Sequence, residues 1–174
     1  MEKAPRTVEL DRSYSEQNLK YDIAQVRALR AFAYFYMVRI WGDVPLVTYS
    51  YDNGTFPSMP RTDAQTVLSY AKAELLTAIK DLPYQYGTQT NLYYGSYGAQ
   101  WQGKLFNKLS AYSVLAHICA WQGNYAEAET YSAFIIDHAS EINAKYTSIA
   151  DLTSETGLFY SNASVKGSRI LGFN

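Results

Sequence analysis

One cysteine in 174 residues leaves no partner for an internal disulfide, so no framework of cross-links holds this chain together. With only two histidines beside that cysteine, the ligands of a structural zinc site are missing unless carboxylates supply them. Charge of one sign is absent too. Fifteen Lys and Arg face sixteen Asp and Glu, a formal net charge of -1, which gives no field to draw nucleic acid or an anionic membrane surface. Long apolar runs are also lacking. The longest, Ala31 to Val38, has eight residues against the roughly 20 that cross a bilayer as a helix. The first ten residues, MEKAPRTVEL, have no apolar core and do not read as a signal peptide. What the chain has instead is 48% hydrophobic residues and 17 tyrosines, the composition of a folded domain with an aromatic excess that asks for a use.

The hydrophobic period is helical. In 22 to 41, Val26, Leu29, Ala33, Tyr36, Met37 and Ile40 recur at spacings of three and four and predict one apolar face. Asp22 with Gln25 reads as a capping box, and Gly42 with Pro45 ends the helix. Beyond Ala31 the other face is apolar as well, through Phe35 and Val38, which predicts a core helix covered all round. After an extended stretch, Val44 to Tyr51, and a turn-rich loop, Thr62 with Gln65 caps a second helix. Its stripe runs through Val67, Leu68, Ala71, Leu75, Ala78 and Leu82 to Pro83. A third helix is predicted from about Lys104 to Trp121. It breaks at Gly123, and a fourth, opened by Asn124 and Glu127, continues to about Ala139. The fold class is therefore all-α, two antiparallel helical hairpins pairing 22–41 with 63–81 and 104–122 with 125–139. The tail 140–174 is irregular, with a possible strand at 169–173. Tyr112, Leu115, Ala116, Gly123, Tyr125 and Ala128 match the tetratricopeptide pattern at a tight helix–helix turn.

The helix and its exit, AQVRALRAFAYFYMVRIWGDVPLVT, resemble the hallmark segment of the SusD/RagB family, and the order of the later segments agrees: an Arg-Thr capped helix ending in Asp81-Leu82-Pro83, Gly103-Lys104 opening the next, then WQGNYAEAETYSAFIID. The resemblance covers most of the chain. It implies a cell-surface, outer-membrane lipoprotein with a tetratricopeptide-like scaffold, which holds a glycan or oligosaccharide over a TonB-dependent, SusC-like transporter for nutrient uptake. It implies no catalysis and no cofactor. Family members are several hundred residues long and begin at a lipidated cysteine. Cys119 lies mid-helix and cannot be that anchor, so 1–174 reads as a single SusD-like helical domain or an internal fragment of one. A fragment exposes surface that the rest of the domain covers, which predicts self-association. A protein-binding tetratricopeptide scaffold and a glycan-cleaving enzyme stand as alternatives.

No family motif transfers a binding residue by position, so candidates come from chemistry. The segment from Tyr84 to Trp101 is too aromatic for a connector and has no helical period. Sugar rings stack their C–H faces on flat aromatic rings while phenols and amides bind hydroxyls, so Tyr84, Tyr86, Tyr93, Tyr94, Tyr97 and Trp101, beside Gln89 and Asn91, are the expected ligand contacts. The competing role is a lid on the helical core. Gly98 to Lys104 has the spacing of a phosphate-binding loop, but Leu105 stands where a magnesium-holding hydroxyl is required. His117 and Cys119, two positions apart on a helix, point to opposite faces and cannot act together. Glu127 with Glu129, or Asp137 with Glu141, would be a glycosidase pair only if they faced each other across a sugar. Arg27, Arg30 and Arg39 on an apolar helix require partners, for which Asp22 and Asp43 are the candidates.

Overall fold

A computed structural model describes residues 5–51, 54–86 and 104–144. A short helix α1 (Pro5–Leu10) precedes the long α2 (Glu16–Trp41), which packs against α3 (Ala64–Ala78). Then α4 (Lys108–Trp121) packs against α5 (Tyr125–Asp137), and a 3-10 turn closes the described chain at Ala139–Ile142. The expected pair of helical hairpins is present, joined through α3 and α4. The possible strand at 169–173 lies outside the described residues.

Which face of α2 is buried corrects the sequence reading. Ala24, Ala28, Ala31, Phe35 and Val38 enter the core, while Val26, Leu29, Ala33, Tyr36 and Ile40 stay exposed. Both stripes recur every three to four residues, so period alone cannot choose. Alanines let the axes of α2 and α3 come close, and Ala71 and Ala78 answer them from α3 beside Val67, Leu68 and Leu75. The helix covered on most sides is instead α4, buried through Leu109, Ala111, Val114, Leu115, Ile118 and Cys119.

The caps move as well. α2 begins at Ser15, whose hydroxyl accepts the Asn18 N–H at 3.2 Å, well before the expected box at Asp22. α3 is capped by Asp63, which accepts from the Thr66 N–H at 3.0 Å, in place of Thr62. α4 begins at Lys108 behind a capping box of Asn107 and Ser110. Asn124 does cap α5, accepting from the Glu127 N–H at 3.3 Å. Between α4 and α5, Gly123 takes φ +79°, with Asn124 N–H bonded to Cys119 O and Gly123 N–H to Ala120 O, the Schellman ending that an L side chain would strain.

The Gly-Asp-Val-Pro-Leu exit has a clear physical task. Gly42 turns the chain at φ +68°, Asp43 accepts the Ala64 N–H at 2.9 Å, and buried Val44 bridges to Thr62. Tyr34 then clasps the strand-like exit, its hydroxyl donating to Val47 O at 2.9 Å and accepting from Val47 N–H at 2.8 Å. The motif thus ties the end of α2 to the start of α3.

Arg27 and Arg30 both pair with Glu74 on α3, not with Asp22 or Asp43; Asp22 accepts from the Tyr14 hydroxyl. The reason is geometry, since residues 27 and 30 sit one turn apart facing α3. Arg39 has aromatic neighbours, its guanidinium carbon lying 5.3 Å from the Tyr36 ring centroid and 5.5 Å from that of Trp121.

The two hairpins are linked by Lys72 on α3, 2.5 Å from Glu127 on α5, which also accepts from the Tyr131 hydroxyl. These hydrogen bonds, Lys72 first, hold the Glu127 carboxyl below its ordinary 4.5. A lowered folded pKa stabilises the fold above the unfolded value and loses that contribution as pH falls through the folded one. Unfolding titrations between about pH 7 and 3 are therefore expected to show an acid-side loss that Glu127→Gln removes, worth less than about 1 kcal/mol because water still reaches and screens this half-buried pair. An unchanged acid limb in that variant counts against the link.

Candidate ligand site

Gln25, read from sequence as part of a cap, instead fastens the base of the aromatic segment. Its Oε1 accepts the Phe106 N–H at 2.9 Å, and its Nε2 donates to Phe106 O at 2.5 Å and to the Tyr86 hydroxyl. Tyr86 in turn donates to Phe106 O at 2.9 Å. The chain entering the segment 87–103 and the chain leaving it are thus held at one point on α2. The Phe106 ring anchors the exit in the core beside Phe32, at 5.9 Å between centroids.

Among the candidate contacts, Tyr86 is buried edge-on against Tyr21, at 6.1 Å and 77°. Burial pushes its phenol well above the ordinary tyrosine range despite the hydrogen bond from Gln25. With so little ring surface bare, Tyr86 has the geometry of an anchor rather than a stacking platform. Tyr84 is half-buried at the end of the second hairpin. Its ring lies 6° from parallel with His138 at 5.9 Å, and the Lys108 ammonium stands 5.1 Å from its centroid. Beyond it, His138 stacks on Phe134 at 3.9 Å, Phe134 meets Tyr112 at 4.2 Å, and Tyr112 meets Tyr131 at 5.7 Å. Gln85 Nε2 donates to Glu141 O and seats this stretch on the same end. Tyr93, Tyr94, Tyr97 and Trp101, with Gln89 and Asn91, lie outside the described residues, as does most of the Gly98 to Lys104 match.

The structure adds a second aromatic group that the sequence reading lacks. In the exit from α2, Tyr49 and Tyr51 lie 4.8 Å apart and Tyr51 lies 5.4 Å from Phe56, with Tyr49 60% and Phe56 75% exposed. The Tyr51 hydroxyl donates to that of Tyr49 at 2.7 Å. Flat rings bearing neutral hydroxyls, open to solvent, can stack on and hydrogen-bond to a polyhydroxylated ligand. The only sequence signal is Tyr49-Ser50-Tyr51, whose alternation puts both rings on one side of an extended chain.

Among the described residues, the pairs weighed for metal or catalytic roles are placed as follows. His117 is exposed and Cys119 buried, its thiol raised by burial. Glu127 is engaged by Lys72, Tyr131 and Asn124, and among the described residues no three His, Cys, Asp or Glu side chains converge as a metal site would require.

Neither a protein-family model nor a curated protein matches the chain. Solved structures do. A SusD superfamily protein from Bacteroides thetaiotaomicron VPI-5482 is 99% identical over 100% of this chain, with a TM-score of 0.89. The surface glycan-binding protein A of Bacteroides uniformis is 26% identical over 79% of the chain, at a TM-score of 0.61. A SusD superfamily protein from Bacteroides vulgatus ATCC 8482 shares the fold over 91% of the chain at 17% identity, with a TM-score of 0.66. The chain spans 38%, 28% and 30% of the length of these three proteins.

Proposed function

Because the chain belongs to the SusD superfamily along its whole length, we propose that it is part of a non-catalytic, surface-exposed glycan-binding protein of the bacterial outer membrane, which passes its ligand to a TonB-dependent, SusC-like transporter. One observation carries the binding half of this reading. Aromatic side chains with neutral polar groups gather at Tyr49, Tyr51 and Phe56 in the exit from α2 and around Tyr84, outside the main buried core. The 26% identity to a surface glycan-binding protein supports the same ligand class. In this reading Tyr84, Tyr93, Tyr94, Tyr97 and Trp101 are ligand contacts, and Tyr86 with Gln25 sets the base of the segment that carries them.

The test uses the full-length protein in native affinity gels cast with soluble neutral polysaccharides, among them a xyloglucan, a mixed-linkage β-glucan, a mannan and a starch. Retardation by at least one is expected. Trp101→Ala should weaken it by about 1 to 3 kcal/mol, by analogy with removal of an aromatic ring from under a stacked base, with little change in melting temperature. Unchanged retention together with a large drop in melting temperature would make the segment a core lid and remove it from the site. Release of reducing sugar from the retained polysaccharide would replace the binding protein by an enzyme.

A further inference from the structure

The loop leaving α2 is braced at its base and across its middle. At the base the Thr62 N–H donates to Val44 O at 2.9 Å, and the Tyr34 hydroxyl grips both backbone groups of Val47. Across the middle the Tyr51 hydroxyl lies 3.5 Å from Met59 Sδ and 2.7 Å from the Tyr49 hydroxyl. Pro57 and Pro60 stiffen the returning chain. This bracing holds the rings in place without hiding them, since Tyr49 is 60% and Phe56 75% exposed. Tyr49 is tilted by 54° to Tyr51, and Tyr51 by 63° to Phe56, so none of these rings lies flat on its neighbour and their faces stay available for stacking.

We propose that Tyr49, Tyr51 and Phe56 form a second glycan-binding site, separate from the segment between Tyr84 and Trp101, which takes a neutral sugar chain by stacking. The proposal rests on the glycan reading above and adds a site to it. Separation follows from α2. Tyr34, which holds this loop, and Gln25, which holds the base of the other segment, differ by nine positions (34 − 25), about two and a half helical turns, so they fasten to opposite faces of the helix. The ligand class follows from the side chains. Gly54 to Pro60 contains no charged residue, and the Tyr49–Tyr51 hydroxyl pair both accepts and donates, as a sugar hydroxyl requires. A braced platform loses little freedom on binding, which favours a weak ligand such as a sugar. Two separate sites on one protein also favour long chains over short ones, because the second contact is made within the same complex.

The test uses the full-length protein in affinity gels cast in turn with xyloglucan, mixed-linkage β-glucan, mannan and starch. Tyr49→Ala, Phe56→Ala and Trp101→Ala are compared, with Phe56→Ala also placed in the Trp101→Ala protein. On a polysaccharide that retards the unmutated protein, Tyr49→Ala and Phe56→Ala should each weaken binding by about tenfold, the loss of one stacked ring. Melting temperatures should not move, and Phe56→Ala should still weaken binding in the Trp101→Ala protein. Full retardation of Tyr49→Ala and Phe56→Ala, with loss in Trp101→Ala, would leave the glycan reading intact and overturn the second site. Retardation of the unmutated protein by none of these polysaccharides would overturn both. A clear fall in melting temperature for Phe56→Ala would show its ring packed against other chain and would also overturn the site. In the unmutated protein, hydroxyl-radical footprinting should show slower oxidation of Tyr49, Tyr51 and Phe56 once the retarding polysaccharide is added, and unchanged oxidation of all three would sink the proposal.

Discussion

Phe106→Ala is expected to cost about 3 to 5 kcal/mol of folding stability, the range for deleting a large ring from a core. Phe106 is 3% exposed, sits in the main core cluster and meets Phe32 edge-on, so the cavity left behind has no water to refill it cheaply. The consequence extends to the candidate site. The Phe106 N–H and carbonyl are the groups that Gln25 and Tyr86 hold, and a loosened anchor frees one end of the aromatic segment. Urea unfolding of the 174-residue chain measures the first effect, and polysaccharide retention of the full-length variant well below its melting temperature measures the second. A midpoint within experimental error of the unmutated chain would show that only the Phe106 backbone matters.

Glu74→Ala is expected to cost about 3 kcal/mol, at the lower end of the range for removing one partner of a buried ion pair. Among the described residues Glu74 is the one carboxylate paired with Arg27 and Arg30, and its side chain is 11% exposed against 29% and 28% for those of the two arginines. Taking away the carboxylate leaves two cations against α3 without their counter-charge, although their partial exposure lets water recover some of the loss. For a chain of this size that is a fall in melting temperature of roughly 6 to 12 °C. Replacing all three residues by methionine should recover most of the stability, since apolar isosteres of a buried charged cluster are often neutral or better. A fully stable Glu74→Ala chain would mean that the arginines find other partners, and the pairing would lose its structural importance.

The Arg27–Glu74 pairing illustrates what a sequence cannot disclose. The demand for a counter-charge comes from a guanidinium on an apolar helix, yet Asp22 and Asp43, the near choices, are committed to Tyr14 and to the α3 N-terminus. The actual partner is 47 residues from Arg27 and 44 from Arg30, and Gln25 meets Phe106 across 81. No local pattern records such distances. Within the candidate site the density of aromatics around residue 84 is legible because composition is local. The different surroundings of Tyr84 and Tyr86 are not, because they depend on what Tyr21, Gln25 and His138 present to them in space. The exposed group at Tyr49, Tyr51 and Phe56 is hidden for the same reason, since only the folded exit of α2 brings Phe56 to the Tyr51 ring.

The sequence by itself determined the helices and their pairing into hairpins, because helical period, Gly42, Gly123, Pro83 and the Asn124 cap act within a few residues of one another and carry their meaning with them. Tertiary structure alone decided which of the two stripes of α2 faces the core. Both satisfy the period, and the choice fell to the alanine stripe because small side chains allow α3 to approach closely enough to exclude water. That choice left Val26, Leu29, Tyr36 and Ile40 on the outward face of α2.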